Sequence, residues 1–131
     1  MDVNISEAAK RSGISPKMLR HYESLGLLPP VARSEAGYRR YGDREVHTLR
    51  FIRRARDLGF SIAEIGELLR LWQNRRRSSA DVKRIAQAHV ADLERRLAEM
   101  QAMKRTLEAL VGCCHGDERP DCPILDGLEE V

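Results

Sequence analysis

Three cysteines fall within ten residues near the C-terminus, in the stretch Gly112 Cys113 Cys114 His115 Gly116 Asp117 Glu118 Arg119 Pro120 Asp121 Cys122 Pro123. Thiolates are soft metal ligands and redox groups. An odd number of them crowded into one short bend points away from a disulfide scaffold and towards metal or thiol chemistry in a reducing compartment. A second set of side chains suits a polyanion. Lys17, Arg20 and His21 recur at steps of three and four, the spacing of one helix face. Further on, Arg33 Ser34 Glu35 Ala36 Gly37 Tyr38 Arg39 Arg40 Tyr41 mixes aromatic and cationic groups around a glycine, with Tyr38, Arg39 and Tyr41 suited to touch phosphate and sugar.

The thiols need an element to carry them. From Ala86 the apolar positions alternate steps of four and three through Val90, Leu93, Leu97, Met100, Leu107 and Val111, broken at Lys104. That spacing predicts one long helix whose seam asks for a partner helix. From Ser79 to Val111 it would run roughly 50 Å at 1.5 Å per residue, too long to bury its seam within a chain this small, so pairing with a second copy is expected. Ser78 or Ser79 caps its start with Asp81 in the first turn, and Gly112 is expected to supply the left-handed cap at its end. Ile124, Leu125 and Leu128 read as a short apolar helix covering the loop.

The basic set has its own supports. Ser6 is a fair cap for a helix ending at Gly13, and Ser15 followed by Pro16 opens another that Gly26 closes. Two short helices across a glycine turn make a helix-turn-helix, with the second in the recognition position. Pro29 and Pro30 stop helical structure, and the Arg33–Tyr41 stretch reads as a hairpin wing turning near Ala36 and Gly37. Asp43 is expected to cap a third helix with Val46, Leu49, Ile52 and Ala55 inward and Arg50, Arg53, Arg54 and Arg56 largely outside. Ser61 and Glu64 form a capping-box pattern, with Phe60 and Ile65 as its staple. The fourth helix that follows has a structural stripe of Ile62, Ile65, Leu68, Leu69 and Trp72.

Charged residues at 33% and hydrophobic residues at 42% describe a folded, soluble chain. No apolar run is long enough for a membrane span and no signal-like segment opens the chain, so a cytoplasmic protein is expected. The net charge of +3 is unevenly spread. Residues 1–77 hold 16 Lys and Arg against 9 Asp and Glu, a net of +7, and residues 78–131 hold 7 against 11, a net of −4. The basic N-terminal part is therefore a candidate polyanion binder, although an excess of a few positive charges is common in proteins that never touch nucleic acid.

This order of elements resembles the MerR family of metal-responsive transcription regulators over essentially the whole chain. The likeness is carried by Arg20 His21 Tyr22 Glu23 Ser24 Leu25 Gly26 Leu27 and by Arg33 with Gly37 Tyr38 Arg39 and Tyr41. Ser79 Ala80 Asp81 Val82 Lys83 together with Cys114, Cys122, Pro123 and Ile124 is similar to the family's copper-efflux regulator branch. The resemblance implies a mainly α fold: a winged helix-turn-helix DNA-binding domain over residues 1–77, a dimerisation helix over 78–112 pairing as an antiparallel coiled coil, and a metal-binding loop with a short helix over 113–131. It implies a homodimer on a palindromic promoter operator, reaching RNA polymerase indirectly by bending and untwisting the DNA, with no catalysis and no membrane partner. By position it assigns DNA contact to Lys17, Arg20, Tyr22, Arg33, Tyr38, Arg39 and Arg56.

For the metal, the family's spacing selects Cys114 and Cys122, with seven residues between them. Two thiolates with no oxygen ligand and no clear third nitrogen suit a soft ion in linear coordination, Cu(I), with Ag(I) or Au(I) as alternatives; Zn(II) ordinarily takes four ligands. Relatives that sense divalent ions carry a cysteine where this chain has Ser79, which makes Ser79 the expected neighbour setting selectivity. Cys113 departs from the pattern. It is a spectator, an alternative ligand, or a partner of His115 in a three-coordinate site open to Hg(II) or Zn(II). A thiol redox-switched regulator and a copper-buffering protein are the competing classes. The second gives no reason for Lys17, Arg20 and the wing.

Overall fold

Asn4, in extended conformation, opens the first helix: its side chain accepts a hydrogen bond from the Glu7 amide at 2.9 Å. The computed structural model describes residues 2–29, 31–113 and 116–129, and divides the chain into two units, Met1–Ile85 and Ala86–Val131. Six helices are described: α1 Ile5–Ser12, α2 Pro16–Ser24, α3 Asp43–Asp57, α4 Ile62–Gln73, α5 Ser79–Cys113 and α6 Pro123–Glu129. No helix among the described residues is long and apolar enough to cross a membrane. The cap of α1 is thus Asn4 rather than Ser6, because backbone pairing of Val3 with Tyr41, at 2.7 and 2.8 Å, already holds the preceding residue extended.

Helix α2 begins as the sequence predicts, with the Ser15 hydroxyl accepting from Met18 N and Pro16 in the first turn. It ends where Gly26 takes φ 78° and the Leu27 amide bonds back to Tyr22 O at 3.1 Å, a left-handed exit that a side chain would strain. The wing is a tight turn rather than a strand pair. Gly37 N bonds Ser34 O at 2.9 Å, Ser34 N bonds Tyr38 O at 2.7 Å, and a single bridge joins Arg33 to Arg39.

Gly42, not Asp43, precedes the first turn of α3, and the Glu45 carboxylate reaches back to its amide at 3.0 Å. Val46, Leu49, Ile52 and Ala55 are all buried, as their spacing predicts. They form one core with Ala8, Ile14, Leu19, Tyr22, Leu28, Val31, Tyr41, Ile65 and Leu69. The capping box of α4 is formed in both directions, Glu64 N to Ser61 Oγ at 3.1 Å and Ser61 N to Glu64 Oε1 at 2.8 Å. Phe60 packs beside the core. Trp72 is structural: its indole stacks on Phe51 with centroids 4.5 Å apart and a 9° tilt, and meets His47 at 5.2 Å.

Helix α5 spans 35 residues and leaves Val90, Leu93, Leu97, Met100, Met103, Leu107 and Val111 exposed along it. The expectation for Gly112 fails. It lies inside the helix, which runs through Cys113, and the left-handed residue is Gly116 at φ 66°. Beyond it Asp117 accepts from the Arg119 amide and pairs with the Arg119 guanidinium at 2.9 Å, and α6 starts with Asp126 N bonded to Cys122 O. A methyl built on Gly127 would lie 2.5 Å from Leu110 Cδ2, so α6 rests directly on the last turns of α5.

Candidate nucleic-acid interface and metal loop

The helix-turn-helix and the wing share a cleft of about 660 Å³. Arg20 from α2 and Arg33, Tyr38, Arg39 and Arg40 from the wing line it, with Asn4 and Ser6 from the start of α1. Of the residues expected to meet DNA, the structure therefore gathers Arg20, Arg33, Tyr38 and Arg39 in one place. Lys17, on the exposed side of α2, and Arg56, on α3 with its guanidinium 3.4 Å from Phe60 O, lie outside that lining. Guanidinium groups and an aromatic ring ranged along an open cleft offer charge-assisted donors and a flat face to a phosphodiester backbone.

Geometry within the wing follows strand-like alternation. Tyr38 is 73% exposed and Arg40 is exposed beside it, pairing loosely with Asp2 at 3.9 Å, whereas Arg39 is turned inward and Tyr41 is fully buried. The Arg39 Nε donates to Glu23 Oε2 at 2.9 Å. Arg33 spends one amino group on the Gly37 carbonyl at 3.0 Å, bracing the turn that presents Tyr38.

One expectation is corrected here: Tyr41 belongs to the core and not to the protruding surface. Tyr22 is 5% exposed and its ring packs with the same core, which seats the recognition helix. Arg40 also lines the cleft though the sequence reading does not single it out; the alternation from Tyr38 to Tyr41 separates it from Arg39.

Burial, reinforced by the Glu23 carboxylate, raises the Tyr41 phenol above its ordinary value, and Arg39, Arg20 and Arg33 oppose this. Among the described residues the Tyr41 hydroxyl has no hydrogen-bond partner.

Of the predicted metal ligands, Cys122 is a partly buried free thiol immediately before α6. Cys114 and His115 lie outside the described residues. Cys113 is an exposed free thiol at the end of α5, and Ser79 is the first residue of that helix. Among the described residues no three His, Cys, Asp or Glu side chains converge as a metal cluster. A site of two thiolates would need no such cluster.

The model for the MerR HTH family regulatory protein matches residues 3–72, and that for MerR, DNA binding, matches residues 46–110. The heavy metal-dependent transcription regulator 2 of Rhizobium meliloti is 60% identical over 126 residues, which cover 96% of this chain and 86% of that protein. The HTH-type transcriptional regulator CueR of Salmonella typhimurium is 45% identical, with 96% and 91% covered. Among solved structures, the transcription regulator PbrR691 from Ralstonia metallidurans in complex with lead(II) superimposes with a TM-score of 0.83 at 33% identity, covering 96% of this chain and 98% of that one. With its basic cleft, its helix-turn-helix and a likeness that spans nearly its whole length, the chain belongs to the MerR family of DNA-binding transcription regulators, not to an enzyme family.

Proposed function

We propose that this chain is a homodimeric, cytoplasmic, metal-responsive activator that binds a palindromic promoter operator, senses a soft monovalent ion through Cys114 and Cys122, and acts on RNA polymerase indirectly by distorting the DNA between its recognition elements. Cu(I) is the ion the donor set suits best, with Ag(I) and Au(I) next. The observation that carries the reading is the cleft in which Arg20, Arg33, Tyr38 and Arg39 converge. Lys17 and Arg56, outside that lining, belong to the reading as further phosphate contacts. Metal response is supported by the likeness to a regulator described as heavy metal-dependent. Homodimerisation is supported by the exposed apolar seam of α5. Ser79 in place of a third thiol supports a monovalent rather than a divalent ion.

The test is titration of the purified protein with Cu(I), Ag(I), Au(I), Hg(II) and Zn(II), reading thiol stoichiometry and distortion of promoter DNA. Cys114→Ser and Cys122→Ser should each abolish metal activation and leave apo binding to the operator intact. Activation retained in both variants overturns the assignment of the ligands.

A further inference from the structure

Glu23 is an acidic side chain on the recognition helix itself, three residues after Arg20, and it pairs with Arg39 of the cleft lined by Arg20, Arg33, Arg39, Arg40 and Asp2. Its carboxylate accepts from Arg39 Nε at 2.9 Å, and the two side chains are only 16% and 27% exposed. The contact ties α2 to the wing across sixteen residues of chain. Arg39 is also the residue whose backbone bridges Arg33, and Arg33 in turn holds the Gly37 carbonyl, so fixing Arg39 fixes the whole turn that displays Tyr38.

We propose that Glu23 is a positioning residue: by gripping the Nε of Arg39 it sets the wing at a fixed distance from the recognition helix, so that both engage one duplex at once. The proposal rests on reading the cleft as the DNA interface. Two effects of opposite sign meet at this carboxylate. Its negative charge repels a polyanion, so removing it should tighten binding by simple Coulomb attraction. It also orders a long arginine and a hairpin before DNA arrives, and losing that order adds rotamer and loop entropy to the cost of binding. A guanidinium has five donors in a rigid fork, so holding Nε aims the remaining amino groups. Because the pair is largely withdrawn from solvent and already neutralised, the ordering effect outweighs the repulsion.

The experiment uses the full chain, an operator duplex defined by footprinting the wild-type protein, and a random-sequence duplex of equal length. Glu23→Ala is expected to weaken operator binding by about tenfold, in line with loss of one charge-assisted hydrogen bond. Glu23→Gln keeps an acceptor for Nε and nearly the same shape, so its loss should be smaller. Binding to the random duplex should hold or tighten in both, and Glu23→Ala should add nothing further to Arg39→Gln in the double variant. Operator affinity that is unchanged or raised in both Glu23 variants, or losses that multiply in the double variant, would overturn the proposal. Should the wild-type protein bind both duplexes equally, the DNA reading of the cleft fails first, which keeps the two failures distinct.

Discussion

Replacing Tyr41 by phenylalanine should make this protein more stable. The Tyr41 ring is fully buried and its backbone pairs with Val3, yet its hydroxyl has no partner among the described residues. A buried, unsatisfied polar group costs about 1–3 kcal/mol, and phenylalanine removes the oxygen while keeping the ring. Allowing for imperfect repacking, a gain of about 1 kcal/mol is expected, which for a chain of this size raises Tm by about 3–5 °C. The assay is urea or thermal unfolding at one fixed protomer concentration, since the stability of the proposed homodimer depends on it.

The alkaline limb supplies an independent check on Tyr41→Phe. Burial, with Glu23, raises the folded-state pKa of Tyr41 above its unfolded value near 10. Stability that depends on the neutral phenol is therefore complete below about pH 10 and is lost as pH climbs through the folded value. The variant has no such loss, so its advantage should widen above about pH 10. A destabilisation of more than about 0.5 kcal/mol at pH 7 would mean that the hydroxyl is satisfied, and would refute the reasoning.

Two further outcomes test the supporting elements. Leu97, 60% exposed in the single chain, lies in the middle of the α5 seam; Leu97→Glu should convert the proposed homodimer to monomer in sedimentation while leaving the helical signal of the N-terminal unit, and an unchanged dimer would remove this seam from the interface. Ser61→Ala deletes the hydroxyl that accepts from the Glu64 amide and should cost about 1 kcal/mol in denaturant unfolding, with a loss below about 0.3 kcal/mol showing the box to be dispensable.

Much of the head was legible because several local signals agreed there. Ser61 with Glu64, Ser15 with Pro16, and the stripe from Val46 to Ala55 each mark an element by more than one rule, and each element forms where they place it. Asn4 and Ser6 are equally good caps in sequence, and only the pairing of Val3 with Tyr41, far along the chain, decides between them. Gly112 followed the statistics of helix ends, but glycine is tolerated within a helix when neighbouring turns carry it through. Grouping aromatic and cationic residues by composition puts Tyr41 on the surface; the period of two across Tyr38 to Tyr41 separates exposed from buried. The family's cysteine spacing selects Cys114 and Cys122 as the proposed ligands, and of the two only Cys122 falls among the described residues.

Helix α3 grips the end of α1 with two of its arginines. Arg50 Nε donates to Arg11 O at 2.9 Å, and Arg53 bonds the Gly13 carbonyl while pairing with Asp57 at 3.2 Å. Both therefore saturate carbonyls at the close of the first helix, a mortar joint within the scaffold. A mutational scan of the head's cations that found weakened promoter occupancy for Arg53→Ala would be reporting a slackened junction between helices, and should be read beside its melting curve before any phosphate contact is credited to it.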